Sequence, residues 1–505
     1  MAAPKSSFRH KSNAGIVDSA NHILHDGPLQ TTYPTHVLEF LRSLKTPSTP
    51  PPAPPSPAAH PLTIHIIGAG IGGLASAIAL RLRGHRVHIL EQSPALSEVG
   101  AGVQIPPNAT RLLQRWGVQP FLAPHVIEPE ASVFRRWEDS RVVGRLARMP
   151  EMAAWFGVPY WAVHRADYQR ALYERARELG VEVVFGARVE AVEAETGVVR
   201  WGGGAREARG DLVVAADGIH SEGRKAVLGK EDRPPVLTGL AAYRATIPAE
   251  KVRADPDTAW MLNSCTQNAW LGDARHVVAY RIAGGDAVNV VLIHPEPSDP
   301  STWKQETALE DMRRQFDGWD RRPATLSPGH TPQRLTDSDR VTKLISLITQ
   351  TLKWPMMASQ ALDRWVSESN KVVILGDAAH AMLPFMAQGA AQAVEDAASL
   401  ATLVSSISSY SQLPAALRVF EQLRISRAGQ VQQASFVNGR IFHFPDGPEQ
   451  QARDAAMRAE AEGKHYLHSP NGLCDPTTQI WLYGHDAEAE AMEAWKIEMG
   501  ETAKL

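Results

Sequence analysis

One segment, Leu62 to Glu91, constrains the fold more than any other stretch of this 505-residue chain. The β-branched run Leu62 to Ile67 predicts a strand, Gly68-Ala69-Gly70-Ile71-Gly72-Gly73 follows, and an alanine-rich helical stretch continues to about Arg83. Gly84 stops that helix, and Val87 to Leu90 predict a second strand that ends on Glu91. Strand, glycine turn, helix and strand in such close succession make a βαβ unit, which commits the chain to a parallel sheet. In a turn of this kind the first glycine permits the bend, the second admits a pyrophosphate against the backbone, and the third lets helix and strand pack closely. The helix N-terminus adds partial positive charge and unsatisfied N–H donors. Gly68, Gly70 and Gly73 hold the three positions. Glu91, about twenty residues on, stands where a carboxylate accepts hydrogen bonds from ribose hydroxyls. The segment reads as a binding site for an adenosine-containing dinucleotide.

The α/β texture continues beyond it. Tyr168 to Leu179 predicts an amphipathic helix stopped by Gly180, Val181 to Phe185 a strand, and Leu212 to Ala216 a buried strand. From about Leu240 to Ile293 the pattern changes to alternating strands (Ala241 to Ile247, His276 to Ile282, Val288 to Ile293), expected to form an antiparallel sheet inserted into the core. Lys371 to Leu375 and a long helix from about Gln388 to Val404 resume the core. The resulting division is an extension over 1–61, an α/β core over 62–239 that returns over 356–412, an inserted mixed antiparallel sheet over 240–355, and a helical C-terminal region over 413–505.

The extension holds eight prolines between Thr46 and Pro61, which favours a disordered spacer, with one short helix expected near Val37 to Leu44. Lys5, Arg9 and Lys11 with no acid before Asp18 faintly resemble a transit peptide, without the apolar core of a secretory signal. Lys and Arg number 52 against 55 Asp and Glu, a formal charge of −3, which gives no electrostatic reason for a nucleic-acid or anionic-membrane partner. No uninterrupted apolar stretch is long enough to span a bilayer. Cys265 and Cys474 stand far apart, in no metal-ligand spacing, so neither a metal site nor a disulfide scaffold is expected and a reducing, cytoplasmic setting is.

NAD and FAD use the same glycine turn, and two later elements choose between them. Asp211 to Ala216 runs into Asp217-Gly218-Ile219-His220-Ser221, and Val372 to Leu375 runs into Gly376-Asp377-Ala378-Ala379-His380, continuing to Pro384 and Gln388-Gly389-Ala390. With the first motif, and with Val99 to Asn108, Val163-His164-Arg165 and Tyr243-Arg244, these resemble the single-component, group A FAD-dependent aromatic monooxygenases. The fungal members of the salicylate-hydroxylase-like branch are the nearest in pattern, and the resemblance runs from about Leu62 to His485. Ala387 and Ala391 replace a glycine and an asparagine common in that family, so contacts to the flavin ring are expected to differ.

The resemblance implies an α/β fold with a Rossmann-like FAD domain, an antiparallel-sheet substrate domain and a helical C-terminal region. It carries over a cofactor set of Gly68, Gly70, Gly73, Glu91, Gly102, Arg165, Asp217, Asp377, Gly389 and Ala390. Glu91 would hold the adenosine ribose, Arg165 the pyrophosphate or adenine side, Asp377 the ribityl chain, and the backbone at Gly389-Ala390 the pyrimidine edge of the ring. The implied reaction uses NADH or NADPH and molecular oxygen to hydroxylate a small phenolic or heteroaromatic substrate through a flavin hydroperoxide. Alternatives within and beyond the fold are an epoxidase or dearomatising hydroxylase of secondary metabolism, and a catalytically silent flavin-binding interaction protein. Either a monomer or a homodimer is expected.

On the inserted sheet, strand alternation puts His276, Val278 and Tyr280 on one face. The resemblance makes Tyr280, His276 and Arg244 the catalytic candidates, because an arginine beside a phenolic oxygen lowers its pKa. Satisfied sheet residues and a structural ion pair are the competing readings of these three. Trp260, Trp270, Phe385 and Met386 are expected pocket walls, and His164 and His380 are expected to serve packing rather than chemistry.

Overall fold

The computed structural model describes residues 57–96, 101–319, 340–464 and 466–500; the helix expected near Val37 to Leu44 and most of the proline run lie outside them. The central sheet has five strands in the order Val372–Ile374, Leu212–Ala215, Thr63–Ile67, Arg86–Glu91 and Glu182–Phe185, all parallel. Thr63–Ile67, Leu212–Ala215 and Val372–Ile374 are buried on both faces, which is why they read as mainly apolar runs, whereas Arg86–Glu91 alternates and is partly exposed.

The helix after the glycine turn, Ile71–Arg81, lies against the long helix Gly389–Ser405. Small residues set their separation: a Cβ on Gly72 would stand 3.3 Å from the Ala393 Cβ and 3.1 Å from the Leu375 Cδ1. The helix expected from Tyr168 starts earlier, at Arg165, because His164 caps it by accepting the Ala166 N–H through Nδ1 at 3.2 Å.

The second sheet has seven strands in the order Leu352–Ala358, Val236–Pro248, Ala287–Pro295, Arg275–Ile282, Thr266–Gly272, Ala131–Arg136 and Val142–Ala147. Neighbours are antiparallel except Thr266–Gly272 with Ala131–Arg136, which are parallel. Two of its strands come from 131–147, so the sheet is assembled from two separate stretches of chain. One face packs on a cluster that includes Tyr243, Trp270, Val290, Met312 and Leu344. The residues that alternate with these face the other way.

Among the described residues no helix is long and apolar enough to cross a membrane. The 30-residue helix Leu413–Phe442 crosses behind Gly389–Ser405 and joins it through a buried ionic network. Arg424 donates to Asp396 at 2.7 Å, to Glu395 at 2.8 Å and to the Gln392 side chain at 2.8 Å. Arg427 donates twice more to Glu395, at 2.6 and 2.8 Å. Asp396 also accepts the Gly376 N–H at 2.9 Å and meets His380 Nε2 at 2.6 Å. Burial would push both carboxyls up; their partners outweigh it, Arg427 foremost for Glu395 and His380 with Arg424 for Asp396, and hold both below the usual carboxylate range.

Removing one cation strands buried carboxylates, which costs about 3–5 kcal/mol. Arg424→Met should therefore lower the urea-unfolding free energy by that amount at pH 7. Depressed carboxyls contribute stability above their unfolded pKa, near pH 4, and lose it as pH falls through the lower folded values. The gap between wild type and variant should accordingly be constant from pH 5 to 7 and narrow below about pH 4; a gap independent of pH would contradict the assignment.

Candidate active site

One cavity, of about 440 Å³, runs from the glycine turn to the inner face of the seven-stranded sheet. Gly70, Gly102, Arg165, Asp377, Gly389 and Ala390 line it together with Arg244, His276 and Tyr280; Gly102 stands against Tyr280, whose hydroxyl lies 2.7 Å from where a Gly102 Cβ would be. Nine of the thirteen residues singled out from the sequence thus meet in one space, although they come from seven separate places in the chain.

The glycine turn is built by contacts that exclude side chains. Gly68 adopts φ +97°, and a Cβ there would fall 2.6 Å from the Ala216 carbonyl oxygen. A Cβ on Gly73 would come within 1.9 Å of the Gly68 carbonyl oxygen. Gly70 differs: a Cβ there would meet no protein atom within 4 Å, because its open side is the cavity. Glu91 does not line the cavity; it braces the turn, accepting the Ala69 N–H at 2.7 Å and the Ser93 N–H at 2.8 Å. Gly68 and Gly73 likewise stand behind the lining.

Asp217 is also turned away from the cavity. Its carboxylate accepts the Ser221 hydroxyl and the N–H groups of Glu222, at 2.8 Å, and Gly223, at 3.1 Å, so with the N-cap Ser221 it satisfies the start of the helix Glu222–Leu228. Burial pushes its pKa up against those hydrogen bonds. Gly218, one residue on, is what reaches the cavity.

Two helices, Ile71–Arg81 and Gly389–Ser405, begin on this space, and neither has a side-chain cap or an acid in its first turn. Their N–H donors and dipoles favour negative charge there. Asp377 is exposed at the rim. Ala387 has φ 53° and ψ 36°, a left-handed conformation that costs a residue with a Cβ roughly 1–2 kcal/mol. An open side at Gly70, two uncapped helix starts and an exposed carboxylate fit a dinucleotide whose phosphates meet backbone and whose hydroxyls meet Asp377.

Strand alternation decides the opposite wall. Arg244 faces the cavity, while its neighbour Tyr243 lies on the far face, stacked on His294 at 5.0 Å. Arg244 is accessible from the cavity, yet the walls desolvate it; that and the Arg165 charge lower its pKa, while Tyr280 opposes them. Tyr280 is 5% exposed, and burial raises its phenol pKa against the pull of Arg244 and a hydrogen bond with Gln104. His276 Nδ1 lies 2.7 Å from His443 Nε2. Burial first, then the neighbouring ring, holds His276 well below its usual range, and burial with the Arg453 charge brings His443 to about 4, so both rings are neutral at pH 7.

Phe385 lines the cavity as expected, but Trp260, Trp270 and Met386 do not. Trp270 alternates with Gln267 and Ala269, which take the inward positions of that strand, so it points to the far face. Trp260 sits beside Arg135, 5.4 Å from its guanidinium, and Met386 packs in the core near Gly472. His380 is spent on Asp396 and His164 on its helix cap. The sequence reading missed Gln104, Arg148, Gln267, Phe442 and Leu473. Alternation in Thr266–Gly272 could have signalled Gln267; Phe442 and Leu473 reach the site only through the packing of the C-terminal region.

The FAD binding domain family matches residues 62–435. The FAD-dependent monooxygenase OpS4 of Beauveria bassiana is 37% identical over 435 residues, covering 86% of this chain and 97% of its own. The 3-amino-4-hydroxybenzoate 2-monooxygenase of Streptomyces cremeus is 32% identical, covering 84% of this chain and 96% of its own. A salicylate hydroxylase solved with its substrate superposes with a TM-score of 0.66 at 24% identity, covering 86% of this chain and 98% of that one.

The turn geometry separates two glycine substitutions. Gly70→Ala should leave thermal unfolding of the cofactor-free protein unchanged while weakening FAD binding at least about ten-fold, because the added methyl enters only the space a phosphate would use. Gly73→Ala should lower both, since its methyl collides with the turn itself. Absorbance at 450 nm and the melting temperature of the stripped proteins read the two effects apart.

Proposed function

This chain belongs to the FAD binding domain family and is an FAD-dependent monooxygenase; on that premise we propose that it hydroxylates a small phenolic or heteroaromatic substrate with NADH or NADPH and molecular oxygen. One observation carries the substrate part of the reading. Arg244 opens onto the cavity beside the buried Tyr280 phenol, and no carboxylate contributes to its electrostatic environment among the described residues. A guanidinium kept unpaired in a half-enclosed space is suited to an anionic oxygen brought by a ligand. The names of relatives point the same way, since two of them act on ring-hydroxylated benzoates.

In this reading the N-termini of Ile71–Arg81 and Gly389–Ser405, with Arg165, hold the phosphates and the pyrimidine edge of FAD, and Asp377 holds its ribityl hydroxyls. Glu91 shapes the turn near the ribose, and Asp217 acts through the position of Gly218. Bound FAD, once reduced, supplies the activated oxygen. The protein's own groups prepare the substrate. Arg244 favours the ionised hydroxyl and Tyr280 donates a hydrogen bond to that oxygen, while His276, kept neutral beside His443, lines the cavity without adding charge. Phe134, Val278, Phe385 and Phe442 wall the space against water. The two free cysteines, Cys265 and Cys474, are consistent with the cytoplasmic setting we assign.

Asp377→Ala should give folded protein with most of its FAD lost; stoichiometric flavin in the purified variant would remove Asp377 from the cofactor site. Arg244→Ala should keep FAD and reduce hydroxylation about ten- to a hundred-fold, the worth of one charge-assisted hydrogen bond. The defect should shrink at higher pH, where the substrate ionises unaided. Tyr280→Phe should uncouple the reaction, so that product formed per NAD(P)H consumed falls and hydrogen peroxide rises. A screen of phenolic acids and pyridinols, read by product mass and coupling ratio, supplies the substrate; wild-type coupling in both variants would take these residues out of the chemistry.

A further inference from the structure

The reading above leaves one end of the cavity unused. Arg148, which follows the strand Val142–Ala147, is 1% exposed yet lines the cavity. Its Nε donates to the Ser132 hydroxyl at 3.1 Å, one terminal nitrogen reaches the Tyr483 hydroxyl at 3.4 Å, and the guanidinium stacks 4.0 Å from the centre of the Tyr160 ring. Tyr160, Tyr483 and Cys474 are the groups that act on its charge most, and among the described residues it has no salt bridge. Ser132 in turn donates to Gln267 Oε1 at 2.8 Å, which fixes the orientation of that amide. Gln267 Nε2 is then the end left over: it is buried, on a residue 4% exposed that lines the cavity, and it has no hydrogen-bond partner.

A buried cation without an anion and a buried donor without an acceptor, joined through one serine, form an incomplete site. Every unused polar group in it is a donor. Arg244 cannot complete it, nor can one ligand atom serve both arginines. The Arg244 strand and the Ser132 strand are four places apart in the sheet, roughly 19 Å between backbones. Between them lie the flat apolar surfaces of Phe134, Ala269, Val278 and Val291.

We propose that Arg148 and Gln267 form a second subsite that binds the carboxylate of an aromatic acid whose ring hydroxyl lies at Arg244 and Tyr280. The fork of a guanidinium matches the two oxygens of a carboxylate, and the amide N–H of Gln267 adds a third donor. This rests on the cavity being the substrate site and narrows the substrate to hydroxylated aromatic acids.

The test titrates the FAD-loaded enzyme with matched probes that differ only in the carboxylate: 4-hydroxybenzoate beside phenol, and 2,4-dihydroxybenzoate beside resorcinol. Binding is read from the absorbance change of the bound flavin. Wild type should bind each acid more tightly than its partner phenol. Arg148→Met should weaken the acids by about ten- to a hundred-fold and leave the phenols unchanged. Gln267→Glu, which places the chain's own carboxylate in the subsite at nearly constant volume, should do the same and carries the test if the methionine variant does not fold. Equal weakening of acids and phenols, acid preference retained in either variant, or no acid preference in wild type would overturn the subsite. Failure of the reaction reads differently: an acid that binds through Arg148 but yields no hydroxylated product leaves the subsite standing and counts against the hydroxylase reading.

Discussion

The contact on which the site depends lies outside it. Arg424, buried in the helix Leu413–Phe442, pairs with both Glu395 and Asp396 on the helix that bounds the cavity. Asp396 reaches back to the Gly376 N–H, where the turn carrying Asp377 begins, and Asn108 Nδ2 bridges Glu395, at 2.7 Å, and Gln388, at 3.0 Å, where the long helix starts. The loop from Gly376 to Gln388 is therefore pinned at both ends by the same charged cluster. A buried ion pair is often no better for stability than an apolar substitute. Its value here is geometric, because an apolar packing of the same volume would not fix the direction of a backbone N–H.

The cavity combines this rigid frame with an electrostatic bias. Two uncapped helix N-termini, Arg148, Arg165 and Arg244 all face the space, against one exposed acid, Asp377, at the rim. Such an arrangement favours phosphates and other anionic groups brought into the space. His276 and His443, both kept neutral by burial, add no charge of their own. Residues from two sheets and a helical tail thus share one wall of the cavity.

Ala387 shows a local rule broken at the same wall. It holds a left-handed turn where glycine would relax the backbone, directly before the long helix whose first residues face the cavity. The departure is visible in the sequence, since the motif around Gln388 ordinarily has a glycine there, but its meaning comes from the backbone. The chain keeps the turn and accepts the strain, so the methyl projects among the lining residues rather than altering the fold.

The sequence by itself determined the parallel core, the glycine turn, and the inward face of His276, Val278 and Tyr280. Each is a local pattern: glycine where a Cβ has no room, a mainly apolar run where both faces are buried, period two where one face is. That Glu91 braces the turn instead of facing the cavity came from the structure. Only the tertiary structure decided that Asp217 accepts the first N–H groups of the helix Glu222–Leu228, that Trp270 looks away from the cavity, and that Arg148, Gln267, Phe442 and Leu473 belong to it. These depend on which strand of a seven-stranded sheet lies beside which, and on where the C-terminal helices close. Strand order and helix docking are set by contacts between residues hundreds of positions apart, such as Arg111 with the His485 carbonyl at 2.8 Å, and no local pattern encodes them.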